Sequence, residues 1–282
     1  MIALAIGTVY FVSNARLQKT FHVEPRVVAI PTEAAAIERG RHLAETRGCN
    51  DCHGRDYAGG KVIDDPAMGL VRGPNLTGGR GGRVAQFTDA DWVRAIRHGV
   101  GPDGRGLFVM PSEEYSHFSD ADLGALIAFM KTVAAVDQER VPIQLGPVSR
   151  VLLATGKMKL AADAIDHAKL QPPVVAMGET VEYGRYVAAS CIGCHGPTFA
   201  GGKIDIGPPS WPAAANLTPH ADGRLANWTQ EEFVQTMRSA RRPDGTEFDP
   251  VMPRAFGQMN DTELKALWLF FRSLPALPLG AR

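Results

Sequence analysis

The sequence predicts an all-α chain of two tandem, small helical domains behind an apolar N-terminal segment. Three observations predict it. The second half repeats the first at an offset that stays between 141 and 144. Within each half, apolar residues recur at helical rather than alternating spacing. Each half also carries one Cys-x-x-Cys-His pentapeptide, Cys49–His53 and Cys191–His195, just behind a helix-forming stretch.

Residues 2–13 are almost wholly apolar, and the first positive charges after them are Arg16 and Lys19. A span of the bilayer needs about 20 apolar residues, and a secretory leader would open on a basic region and close on a small-residue cleavage site. The segment fits neither in full and is read as an N-terminal anchor. Residues 14–32, punctuated by Pro25 and Pro31, read as a tether, so that 1–32 are anchor and tether together. Thr32 is placed to cap the next helix, with Glu33 in its first turn.

The first domain is expected over residues 33–136. Ala34 to Thr46 forms helix up to the first motif. Gly40 inside it costs about 1 kcal/mol relative to Ala, and its small size permits close crossing by another helix. The candidate is 120–133, where Leu123, Leu126, Ile127 and Met130 share a face and Ser119 or Asp120 is the cap. Between them, Thr88-Asp89-Ala90-Asp91 is a capping-box variant opening a helix to His98, with Trp92, Val93 and Ile96 on one side.

Residues 137–176 read as a structured connector. Pro142, Pro147, Pro172 and Pro173 interrupt it, while Leu152, Leu153, Met158 and Leu160 give it apolar positions to pack. The second domain is expected over 177–282. In it Gly184-Arg185 answers Gly40-Arg41, Ala200-Gly201-Gly202-Lys203 answers Ala58-Gly59-Gly60-Lys61, and Ala215-Asn216-Leu217-Thr218 answers Pro74-Asn75-Leu76-Thr77. Leu264, Leu267 and Phe270 answer Leu123, Leu126 and Phe129. So many matches imply an internal duplication.

The Cys-x-x-Cys-His spacing is the attachment signature of covalent haem: two thiols add to the vinyl groups and the adjacent histidine reaches the iron from the same turn. All four cysteines, Cys49, Cys52, Cys191 and Cys194, are accounted for by two such sites, with His53 and His195 as iron ligands. A zinc ribbon needs its cysteine pairs about 15–20 residues apart, whereas these are separated by 142. A thioredoxin-like pair would need a βαβ context and no neighbouring histidine. The cofactors expected are therefore two haem c groups.

The second axial ligand decides the chemistry. Met110 and Met252 stand at the same distance beyond their respective histidines, and each is followed by proline. A thioether suits haem iron and raises its potential, although methionine is more often core filler; two halves placing Met-Pro at one distance favours ligation. The rivals are His117, which matches Met259 at an offset of 142, and His98, which is answered by Ser239. Met68 has no counterpart, and His22, His42, His167 and His220 read as surface or packing residues.

Each half resembles a class I cytochrome c domain, over about residues 33–135 and 177–275. The resemblance rests on the helix with an internal glycine, the haem motif, the Pro-Asn-Leu loop, the Met-Pro loop and a closing helix with an aromatic. It implies that the Pro74 carbonyl in Gly73-Pro74-Asn75-Leu76 accepts the N–H of His53. The second domain departs from the pattern with Ala215, which still offers a carbonyl. The tandem form resembles dihaem cytochromes of membrane dehydrogenases and of respiratory or photosynthetic complexes. That implies an electron carrier with six-coordinate irons and no substrate site of its own, on the periplasmic side of a bacterial inner membrane. Its implied partners are redox proteins: a dehydrogenase, a quinol-oxidising complex, an oxidase or a reaction centre. A dihaem peroxidase is the alternative, and it would need an exchangeable ligand and acid–base groups above one iron. Thirty basic and thirty acidic residues leave no net charge, so nothing in the balance favours nucleic acid. Gly78 to Arg83 lacks the Lys-Ser/Thr ending of a phosphate loop, follows no predicted strand, and reads as a flexible loop.

Overall fold

The computed structural model describes residues 1–204 and 210–281 and divides into two compact units, Met1–Pro173 and Val174–Arg282. In the first unit the helices are α1 (Ile2–Leu17), α2 (Ala34–Thr46), α3 (Cys49–His53), α4 (Asp89–His98), α5 (Ser112–Tyr115), α6 (Asp120–Thr132) and α7 (Pro147–Ala154). The second has α8 (Val181–Ala188), α9 (Ile192–His195), α10 (Gln230–Ser239) and α11 (Asp261–Ser273).

The same helix pair frames both units. A Cβ on Gly40 in α2 would lie 1.9 Å from the Ala125 carbonyl oxygen of α6, and one on Gly184 in α8 would lie 1.9 Å from that of Ala266 in α11. No side chain fits such a gap, so each glycine is the notch through which its helix crosses the closing helix. Around the first crossing pack Leu43, Trp92, Val93, Tyr115, Leu123, Leu126 and Ile127; around the second, Tyr183, Val187, Phe199, Phe233, Leu264, Leu267 and Phe270. The caps follow the sequence: Thr88 and Asp91 form a capping box at α4, as do Thr229 and Glu232 at α10, and the Ser119 hydroxyl accepts from Asp122 N–H at α6. At α2 the cap is Glu33, not Thr32, and its side chain accepts from the Thr32 N–H outside the helix.

The first unit is not all-α. Gly60–Asp65 (β1), Gly69–Gly73 (β2) and Gln144–Leu145 (β3) form an antiparallel sheet in the order β1-β2-β3. The β1–β2 turn is built by Asp65, whose carboxylate accepts from the backbone of Ala67 and Met68, and by Gly69 at φ +111°. Four charged residues, Lys61, Asp64, Asp65 and Arg72, and flanking glycines hid this hairpin from a period-2 reading. Among the described residues of the second unit the corresponding pairing is a single bridge, Gly202 to Ala214.

The tether, and the connector as far as Pro173, belong to the first unit. Val28 is buried in its core, the Phe21 N–H donates to the Gly104 carbonyl, and Arg26 pairs with Asp120. Beyond α6, residues 137–173 supply β3, α7 and a 3₁₀ turn at Ala161–Asp163, with Leu153 and Leu160 buried. Pro172 and Pro173 then offer their carbonyls to the first N–H groups of α6, those of Asp120 and Ala121. The α1 helix packs on α7; Arg150 donates to Ser13 and Asn14 and lies 4.0 Å over the Tyr10 ring. Among the described residues no helix is long and apolar enough to cross a membrane.

Candidate haem sites

Each Cys-x-x-Cys-His segment is a short helical turn closed by glycine. Gly48 (φ +74°) starts α3, and Gly54 (φ +80°) ends it; Gly196 (φ +76°) ends α9. A Cβ at Gly54 would sit 2.8 Å from the Gly59 carbonyl. The chain must therefore fold back at once, and the returning loop grips the histidine. Gly59 N–H donates to the His53 carbonyl and Gly201 N–H to that of His195, while Tyr57 and Phe199 take positive φ values of 57° and 59°.

The side chains are held as firmly. His53 Nδ1 donates to the Pro74 carbonyl at 2.9 Å, and His195 Nδ1 donates to the Ala215 carbonyl at 2.8 Å. A carbonyl only accepts, so each Nδ1 carries the proton and each Nε2 keeps its lone pair. Burial holds both histidines below the usual imidazole range, with the carbonyl bond opposing it. The resemblance implied the proline carbonyl; the alanine carbonyl does the same work without the ring.

The loop that carries these carbonyls is itself pinned, by residues whose repetition is plain in the sequence but whose role is not. Asn75 Nδ2 donates to the Val136 carbonyl at 2.8 Å and Thr77 Oγ1 to the same oxygen at 3.1 Å. Asn216 and Thr218 do so to Leu277, at 2.8 and 3.0 Å. The signal was present in the doubled Asn-Leu-Thr.

In the second unit a cavity of about 440 Å³ is lined by Cys191, Cys194, His195, Leu217, Trp228, Phe233, Met252, Phe256, Met259 and Leu267. That is within the range of small-molecule and cofactor sites, about 300–1,000 Å³, and its wall is largely apolar. Two thiols, an imidazole with a free Nε2 and thioether sulfur around one apolar enclosure fit a covalent haem. In the first unit Cys49, Leu76, Met110 and Phe129 pack against the core cluster. Burial pushes the Cys49 thiol up to about 12 and raises that of Cys52. That is the opposite of a redox-active pair, which needs a stabilised thiolate.

The rivals for the second ligand are placed differently. His98 is buried at the end of α4, its Nδ1 3.2 Å from Nδ1 of His167, whose Nε2 donates to the Ala162 carbonyl. Met68 sits at the hairpin, where its carbonyl accepts from Gly146 N–H and Ser149 Oγ. The pairing of His117 with Met259 does not hold. Ser119 caps α6 and Asn260 caps α11, an offset of 141, and by that register the buried Met259 answers the buried Phe118. The extra residue of the first unit lies between Pro111 and Ser119.

Known families match the chain in the same two halves. A model described as cytochrome c oxidase, cbb3-type, subunit III matches residues 35–130, and a cytochrome c model matches residues 181–275. Both halves are cytochrome c domains. Two covalent haem c groups are accordingly their cofactors. Among the relatives, the fructose dehydrogenase cytochrome subunit of Gluconobacter japonicus is 28% identical over 87% of this chain and 55% of its own length. The cytochrome c subunit of the quinone-dependent alcohol dehydrogenase of Gluconobacter oxydans (strain 621H) is 28% identical over 88% of this chain and 56% of its own length. A diheme cytochrome c-type protein of Cereibacter sphaeroides is 23% identical over 97% of both chains. The chain thus spans little more than half the length of the dehydrogenase cytochrome subunits.

Proposed function

We propose that the two cytochrome c domains form an electron-transfer relay. It passes single electrons between a dehydrogenase-type donor and a membrane-side acceptor, as the cytochrome subunit of a larger complex. His53 and Met110 are the axial ligands in the first domain, His195 and Met252 in the second. The observation that carries the reading is the second-domain cavity, where both thiols, His195 and Met252 share one apolar enclosure. When bound, haem iron supplies a one-electron couple whose potential a thioether ligand raises.

The chain's own residues do the rest. Pro74 and Ala215 fix the tautomer and direction of each imidazole, and Asn75 and Asn216 hold the loops that carry those carbonyls. Leu217, Phe233, Leu267 and Phe271 keep water from the second site. Met259 shares that enclosure as a buried wall residue, leaving the Met-Pro loop to supply the ligand. The dehydrogenase subunits among the relatives favour a dehydrogenase as the partner class.

Attachment to the periplasmic face of the inner membrane belongs to the same reading. The support is α1, whose Ile2, Leu4, Ile6 and Phe11 are 55–79% exposed. At about 1.5 Å per residue its 16 residues reach about 24 Å, short of a hydrocarbon core about 30 Å thick. The test is spectroscopic. The oxidised holoprotein should show the near-infrared methionine–iron band for two haems, and carbon monoxide should bind slowly on reduction. Rapid binding at one haem in the wild type would overturn the carrier reading in favour of a peroxidase-type site.

A further inference from the structure

The base of α1 is surrounded by positive charge that a distant part of the sequence brings to it. Arg16 lies over Gly156: a Cβ there would be 3.2 Å from an Arg16 guanidinium nitrogen. Lys157 and Lys159 follow immediately, both exposed. Among the described residues none of these three cations has a carboxylate partner, whereas Lys19 beside them is paired with Asp163. Arg150, on the face of α7 that meets α1, is held by Ser13, Asn14 and Tyr10.

The two stretches that build this region contain no acid at all. Residues 1–23 and 140–162 carry no Asp or Glu, yet hold Arg16, Lys19, Arg140, Arg150, Lys157 and Lys159. Above the charges rises an uncharged helical stretch, Ile2 to Val12, apolar on every side but for Thr8 and the Tyr10 hydroxyl. Val148 and Val151 of α7 add exposed apolar surface at 42% and 47%. A water-facing helix that is apolar all round has to be embedded, and a polar collar at its foot sets how far.

We propose that Arg16, Lys157 and Lys159 form a collar that binds the anionic headgroups of a lipid surface into which α1 inserts. The inference rests on the membrane-attachment part of the proposed function and deepens it by naming the lipid chemistry. Basic residues near an anionic surface each contribute about fivefold in binding, and salt weakens them. The apolar helix supplies the salt-insensitive remainder.

The experiment is sedimentation of the full-length holoprotein with vesicles of phosphatidylcholine, with and without phosphatidylglycerol, at low and high salt. The expected result is binding to both, tighter by at least about tenfold on the anionic vesicles at low salt. The double variant K157E/K159E, at exposed positions, should lose that preference while still binding neutral vesicles, and R16Q should lose part of it. Equal binding to both vesicle types would overturn the collar and leave the anchor standing. Failure to bind either would overturn attachment by α1 itself, as would vesicle-independent, concentration-dependent self-association that buries the helix.

Discussion

The two cytochrome c domains hold their histidines alike but are closed differently. In the first, the segment leaving the closing helix runs on through Val136 into β3, α7 and the turn at Ala161–Asp163, all packed on the same unit. In the second, the segment leaving the closing helix passes Leu277 and returns to the haem loop, where Gly280 N–H donates to the Ala200 carbonyl and the Ala281 carbonyl accepts from Thr198. At the end of α4 the first domain pairs the buried His98 with the half-buried His167; the second has Ser239 in the place of His98, its hydroxyl bonded to backbone. The difference separates what a haem site requires from what surrounds it. The helix crossing, the histidine–carbonyl bond and the Asn–carbonyl pin are common to both, whereas among the described residues the sheet, the histidine pair and the loop proline belong to the first alone.

The largest effect expected is from the shared crossing. Gly184→Val should destabilise the second domain by several kcal/mol, about 3 or more, because the new side chain meets the Ala266 backbone. Thermal denaturation should show the first domain melting unchanged, and a common shift of both transitions would sink the idea that the crossings are independent.

Next come the methionines. Met259→Ala should cost about 2–5 kcal/mol as a core truncation while keeping a six-coordinate second haem. Met252→Ala should cost less stability and open that haem to carbon monoxide; the reverse pattern would exchange the assignments. Met110→Ala is the matching change in the first domain and should open only that haem.

Acid should then distinguish the domains. Burial, with His167 beside it, drives His98 down to about 4 from an ordinary 6.5. A histidine with a depressed native pKa contributes stability that is full above the unfolded value and is lost as pH falls toward the native one. Between about pH 6.5 and 4 the first domain should lose about 1–2 kcal/mol more than a His98→Asn variant does, solvent screening of the pair included. Equal acid sensitivity of wild type and variant, measured by denaturant unfolding, would remove the histidine pair from the account.

The smallest change is at the loop. Ala215→Pro would give the second domain the first domain's residue while keeping the carbonyl that His195 uses. Stability should move by less than about 1 kcal/mol, with the spectrum of the second haem unaltered. A large spectral change would mean that the ring itself, beyond the carbonyl, shapes the site.

The duplicated parts were legible because each was written twice. Gly40 and Gly184, the two haem motifs and the Asn-Leu-Thr loops are local patterns whose partners recur 141 to 144 residues on. What was not legible depends on long-range packing. The β1–β2 hairpin holds two adjacent aspartates and flanking glycines, so alternation gives no signal, and β3, which completes it, follows only after α4, α5 and α6 have intervened. Phe21 and Val28 looked like tether because nothing nearby announces the surface they cover. The His117–Met259 match failed because one inserted residue shifts the register by one, and only the caps reveal where.

Asn75 and Asn216 have a consequence for the order of assembly. Each stands next to the residue whose carbonyl sets its histidine, and each is anchored to a carbonyl beyond the closing helix of its own domain. The histidine is thus aimed by a strap that arrives last in the domain. A nascent chain that has exposed its Cys-x-x-Cys-His turn, but not yet Val136 or Leu277, offers the attachment machinery two thiols and an unaimed imidazole. Each domain therefore finishes its iron site only when the segment beyond its own closing helix has been delivered.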